Sequence, residues 1–153
     1  MVEQLTVNPF SVRWSTFFLD LAEFYSKQSK DPSTKCGAVV VDNCNLPIAF
    51  GFNGFPKSIP DNPEWLADRD TKYEMVIHAE VNAILNATAS VKGCHLFVTG
   101  PSCPDCTKFI IAAGIVSVHW RLGQTEFLER WRDRLEISAR IYDRAGITPF
   151  IYQ

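Results

Sequence analysis

The chain has 153 residues, 46% of them hydrophobic and 21% charged, which suits one soluble domain spanning 1–153 that buries its core without staples. A net charge of −2 and a pI near 5.9 argue against a nucleic-acid polymer as partner, because such domains concentrate Lys and Arg. No stretch approaches the roughly 18 uninterrupted apolar residues of a membrane span, and Met1–Phe10 lacks the basic flank and apolar run of a secretory signal, so the expected location is cytoplasmic.

Trp14, Phe17, Phe18, Leu21, Phe24 and Tyr25 fall at helical spacing and predict a first helix with a core-facing stripe, stopped by Asp31-Pro32-Ser33. Gly37–Val41 reads as a strand, Asp42-Asn43-Cys44-Asn45 as a turn and 46–52 as the returning strand, together an antiparallel hairpin. Residues 53–73 form a long connection containing Gly54, Pro56, Pro60 and Pro63. Structureless connections beyond about 12–15 residues are uncommon, and those that occur are often functional.

The pattern is helical over 73–89 and extended over 94–99, with a loop at Gly100-Pro101-Ser102. A helix over 104–113 tolerates Pro104 in its first turn. A strand over 115–120, a long helix over 126–145 that Gly146 can end, and a strand over 147–151 complete the chain. Strands joined through helices are normally parallel, with right-handed crossovers. The expected class is therefore α/β: a mixed five-stranded sheet, its first pair antiparallel, between helices on both faces. Sites in such sheets lie beyond the carboxyl ends of parallel strands. There the helix carrying His78 and the loop carrying Cys103 would meet.

Five cysteines is an odd number without the dense spacing of a secreted scaffold. Cys36, Cys44 and Cys94 are isolated and read as small packing residues. Cys103 and Cys106 form a close pair, which in a reducing compartment points to metal binding or catalysis. With His78 they give one imidazole and two thiolates, a donor set that suits zinc and leaves a fourth position for water. His95 and His119 match a fourth ligand by residue type only; each falls in a predicted strand. Glu80 stands two residues after His78, and two residues along a regular helix point about 200° apart, so it is not expected to ligate. Near a helix start it could still reach a metal-activated water and carry its proton. The pairing of H-x-E with a later P-C-x-x-C is the signature of zinc deaminases, in which the Glu is not a ligand.

Beyond this motif the chain resembles the deoxycytidylate (dCMP) deaminases of the cytidine/deoxycytidylate deaminase family along nearly its whole length. The resemblance rests on Asp31–Val41, Gly51–Pro56, Lys72–Leu85 and Ala113-Gly114-Ile115; the last ~25 residues match only in pattern. It implies a three-layer α/β/α cytidine-deaminase-like fold and hydrolysis of dCMP to dUMP and ammonia, supplying the precursor of thymidylate. Carried over, His78, Cys103 and Cys106 are the zinc ligands and Glu80 is the catalytic proton shuttle. Asn53 contacts the sugar, the Ala79 amide reads the pyrimidine carbonyl, and the Ser102 carbonyl accepts from the leaving amino group. The resemblance further implies a homohexamer activated by dCTP and inhibited by dTTP, with magnesium accompanying the effector nucleotide. One departure is Ser102, which stands where the family usually has proline, with Pro101 and Pro104 flanking the motif. It leaves the ligands intact but alters the pocket wall, where a 5-substituted dCMP could fit. Lys35, Lys57 and Arg121 are candidates for the 5′-phosphate, and Asp61, Asp68, Arg69 and Asp70 for a solvated face. The competing function with the same zinc motif is a nucleic-acid deaminase of the tRNA adenosine type; the acidic pI and the segments around Asn53 and Tyr73 favour the mononucleotide.

Overall fold

Ser11 accepts a hydrogen bond from the Trp14 amide and so starts the first helix, α1 (Val12–Ser26), in the computed structural model, which describes residues 7–123 and 125–153. Residues 1–6, part of the N-terminal stretch used to judge a secretory signal, lie outside them. The hairpin follows as β1 (Gly37–Val41) and β2 (Pro47–Phe52), paired antiparallel. Its turn takes Asn45 at φ 61°, a left-handed conformation that Asn tolerates. The connection is not structureless: it holds α2 (Pro63–Ala67) and α3 (Arg69–Met75), capped by Asn62 and Asp68.

The predicted helix over 73–89 is in fact two, α3 and α4 (Ala79–Asn86). The break has a tertiary cause. Gly54 and Ile77 exchange backbone hydrogen bonds of 3.1 and 2.9 Å, which hold the segment before α4 extended. Asn82 and Asn86 then tie α4 to β2 by donating to the Phe52 and Phe50 carbonyls, at 2.8 and 2.9 Å.

β3 (His95–Val98), α5 (Pro104–Ala112), β4 (Ser117–Arg121), α6 (Thr125–Arg130), α7 (Arg132–Arg144) and β5 (Pro149–Tyr152) complete the chain. The predicted helix over 126–145 is interrupted at Trp131, where the sequence has neither Pro nor Gly. The Trp131 ring packs edge-on against Tyr73 with centroids 6.3 Å apart, a contact that local propensity cannot anticipate. Gly146, at φ 70°, ends α7 in a double-bonded turn: its amide donates to Asp143 and that of Ile147 to Tyr142, each at 3.0 Å.

The sheet order is β2-β1-β3-β4-β5. β3, β4 and β5 are mutually parallel, as expected of strands linked through helices. β1 is antiparallel to both neighbours, because it lies between β2 and β3, the two strands that the α2–α4 crossover joins. Alternation assigns the faces. Val39, Val41 and Phe97 pack under α1 with Phe18, Leu19 and Ala22. Ala38, Val40, Leu96 and Val98 face the opposite layer, where they join Ala83, Ile110 and Tyr142 from α4, α5 and α7. The result is the three-layer α/β/α arrangement, with α4 and α5 starting beside each other at one edge of the core.

Candidate active site

His78 and Cys103 occupy equivalent positions: each is the residue just before a helix, α4 and α5 respectively, in extended conformation (φ −70°, ψ 157° and φ −71°, ψ 164°). Neither side chain caps its helix, so imidazole and thiol are free for another partner. Because His78 precedes the helix, the 100°-per-residue rule does not separate it from Glu80, and both can face one point. His78 Nδ1 lies 3.5 Å from Cys103 Sγ and 3.3 Å from Cys106 Sγ, and the ligand atoms of the three lie within 4.8 Å of one another. Zinc bonds of about 2.0–2.3 Å at tetrahedral angles place such nitrogen and sulfur atoms about 3.6 Å apart, so these donors fit zinc.

The electrostatics agree with that fit. The Cys106 sulfhydryl beside it, together with His78, brings the Cys103 thiol down to about 3, while the same contact pushes Cys106 up. One thiolate therefore forms readily, and two helix N-termini with a dication favour the second. The hydrogen bond to Cys103 raises the His78 imidazole. Glu80, in the first turn of α4, is 5% exposed, and burial pushes its carboxyl above the usual range while His78 opposes the shift. Among the described residues, His78, Cys103 and Cys106 form the group that could hold a metal, and no fourth protein donor closes it. His95 and His119 sit on the opposite, α1-facing layer. His95 bonds Ser117 and Asn43, and His119 bonds Ser117 and Tyr152.

These groups open into a cavity of about 710 Å³, within the range of small-ligand sites. Asn53 lines it and is 6% exposed; its Oδ1 accepts from the Cys36 amide at 2.8 Å and its Nδ2 donates to the Thr34 carbonyl at 2.9 Å. Ala79 is the first helical residue of α4, so its amide has no acceptor within the helix. Ser102 is buried directly before Cys103. Lys35, Lys57 and Arg121 do not line the cavity: Lys57 donates to Asn86 at 2.8 Å, and Arg121 pairs with Asp20 and Glu23. The cations that do line it are Lys72, Arg130 and Arg134. Lys72 is buried, donating to Ser33 Oγ at 2.6 Å and to Asp31 at 3.2 Å. Tyr142, on α7 and packed in the core with Cys106 and Ile110, has no local sequence signal that sets it apart.

An imidazole and two thiols gathered beside a buried carboxyl, in an α/β/α domain, define a metal-dependent hydrolytic site. The family described as the cytidine and deoxycytidylate deaminase zinc-binding region matches residues 12–121, and the chain belongs to that family. It is 37% identical over 135 residues to the uncharacterized deaminase in the luxG 3′ region of Aliivibrio fischeri, covering 88% of this chain and 90% of that one. To the deoxycytidylate deaminase of Homo sapiens it is 34% identical over 145 residues, covering 90% and 78%. The crystal structure of the dCMP deaminase from the cyanophage S-TIM5 in complex with dCMP and dUMP superposes with a TM-score of 0.71 at 26% identity, covering 93% of this chain and 98% of that one.

Proposed function

We propose that this chain is a zinc-dependent aminohydrolase that converts dCMP and water to dUMP and ammonia. The observation that carries this is the buried Glu80 beside the His78, Cys103 and Cys106 cluster. Its substrate is suggested by the relatives named for deoxycytidylate and by the S-TIM5 enzyme solved with dCMP and dUMP. His78, Cys103 and Cys106 hold the zinc, which when bound acidifies a water and so makes a nucleophile available near neutral pH.

Glu80 does the proton work. Its carboxylate takes a proton from the attacking water and delivers it to ring N3, which makes C4 electrophilic. The oxygen adds to C4; Glu80 then takes the proton left on that oxygen and passes it to the 4-amino group, which leaves as ammonia as the C4 carbonyl forms. A carboxyl whose affinity for protons is raised by burial serves both halves of that cycle. The Ala79 amide reads the pyrimidine carbonyl, the Ser102 carbonyl accepts from the leaving amino group, and Asn53 contacts the sugar. Lys72 and Arg134 line the cavity as candidates for the 5′-phosphate, which would share them with their carboxylate partners Asp31 and Asp105.

Residues 1–153 act as one deaminase domain in the cytoplasm, supplying the precursor of thymidylate. Among the described residues no helix is long and apolar enough to cross a membrane. The family resemblance supports a homohexamer activated by dCTP and inhibited by dTTP, with magnesium on the effector; sigmoidal dCMP velocity made hyperbolic by dCTP would test it. Ser102 and Pro101, in place of the usual motif, support acceptance of 5-substituted dCMP.

Ammonia release from dCMP, single-stranded DNA and tRNA, measured side by side, tests the substrate class. Turnover of dCMP alone is expected. Turnover of the polymers without dCMP would make the chain a nucleic-acid deaminase, a reading that the relatives and the acidic charge do not favour.

A further inference from the structure

Two cations of the candidate site, Lys72 and Arg134, are each paired with a carboxylate, and the two pairs differ in what they cost to open. Lys72 and Asp31 meet at 3.2 Å with side chains only 9% and 6% exposed. Lys72 also donates to Ser33 Oγ at 2.6 Å, and the same Asp31 oxygen accepts from the Ser33 and Thr34 amides at 2.8 and 3.1 Å. Asn53 Nδ2 lies 3.5 Å from the other Asp31 oxygen. This pair is neutral, buried and committed to the wall that holds Asn53; drawing Lys72 away would strand a buried carboxylate. Arg134 and Asp105 meet at 3.1 Å, 47% and 64% exposed, where water screens the pair and opening it costs little. Asp105 also has Lys108 on its other oxygen at 3.0 Å, and it sits in the first turn of α5, where the helix N-terminus favours a negative charge. Asp105 is thus satisfied without Arg134, and the guanidinium can serve another anion.

We propose that Arg134 selects the phosphorylated nucleotide: its guanidinium exchanges Asp105 for the 5′-phosphate of a bound nucleotide, while Asp105 keeps Lys108. Lys72 stays with Asp31 throughout. This rests on the substrate being a nucleoside monophosphate. Arg134 lies in the C-terminal stretch that matches the family only in pattern, so the resemblance assigns it no role. Arginine suits the task, because its planar fork offers two parallel N–H donors to a phosphate and it stays charged at any working pH. Arg134 is the third residue of α7, so the positive end of that helix adds to its charge. A nucleoside, with no phosphate, leaves Arg134 on Asp105 and gains nothing from it. The residue therefore sets which substrate is held, not how fast the ring is hydrolysed.

The test uses the zinc-loaded full chain as wild type, Arg134→Gln, Arg134→Lys and Lys57→Gln, the last removing a cation outside the cavity. Arg134 is half-exposed, so its variants should keep both zinc and melting temperature. By calorimetry, Arg134→Gln should bind dUMP about tenfold to a hundredfold more weakly, the scale of lost hydrogen bonds between charged groups, and Arg134→Lys should fall between it and the wild type. A ring-hydrated deoxycytidine analogue, which lacks the phosphate, should bind every variant as it binds the wild type. In turnover, Arg134→Gln should raise KM for dCMP by a similar factor with kcat within about twofold, the pattern of lost uniform binding. Wild-type dUMP affinity in Arg134→Gln, an equal weakening of the phosphate-free analogue, or an equal loss in Lys57→Gln would each overturn the assignment. A wild type that binds dUMP, loses that affinity in Arg134→Gln and yet does not deaminate dCMP would overturn the proposed function and leave the phosphate contact standing, which separates the two failures.

Discussion

Gly51 of β2 lies directly against Ala79 of α4, backbone to backbone. A Cβ added at Gly51 would strike the Ala79 carbonyl oxygen and the Ala83 amide. This approach seats the start of α4, and with it His78 and Glu80, on the sheet. Gly51→Ala is therefore expected to push α4 outward. A melting temperature lowered by the equivalent of about 1–3 kcal/mol and a reduced kcat should appear together. Gly123→Ala, where an added Cβ meets nothing within 4 Å, should change neither. Normal melting and turnover in Gly51→Ala would show that α4 is not held by this contact.

Glu80→Ala should leave the metal and the fold in place while losing the proton carrier. Turnover of dCMP is expected to fall by at least the roughly 10²–10⁴-fold typical of a lost general acid/base. Zinc measured by elemental analysis should stay at the wild-type level. Near-normal turnover in this variant would remove Glu80 from the mechanism.

The α1-facing layer carries an acid sensitivity unrelated to catalysis. His119 is fully buried between Phe97 and Phe150, stacked at 4.3 and 4.8 Å. Burial, with a smaller contribution from His95, lowers its pKa from 6.5 to about 3, and burial lowers His95 as well. Between those values the unfolded chain binds a proton that folded His119 refuses. Stability is thus fully present above pH 6.5 and is lost as pH falls toward 3, at about 1.4 kcal/mol per pH unit for one such group. Melting temperature recorded from pH 7 to 4 should drop steeply for the wild type and less steeply for His119→Gln, whatever the variant's stability at pH 7. Parallel slopes would exclude His119 as the source.

The sheet, the hairpin and the zinc motif were legible in the sequence because each has a short-range signal: alternation, turn residues, and ligands at the starts of helices. What was hidden depends on partners distant in sequence. The extended residue at His78 is imposed by the Gly54–Ile77 bridge, and the break at Trp131 accompanies its contact with Tyr73. The orientation of Glu80 toward the ligands follows from that first break, so helical geometry alone pointed it away. Lys72 was legible only as part of the family segment, since nothing local shows that Asp31 and Ser33 bury it. Conversely, nothing local in the sequence shows that Arg121 is occupied by Asp20 and Glu23 on α1.

If one zinc held by His78, Cys103 and Cys106 makes this chain a dCMP deaminase, turnover must follow the metal. The most direct measurement titrates zinc into metal-free protein while following conversion of dCMP to dUMP. No turnover is expected without metal, then a rise in proportion to zinc added and saturation at one zinc per chain; Cys106→Ala should show no such rise. Full turnover by the metal-free protein, or by Cys106→Ala without bound zinc, would contradict it.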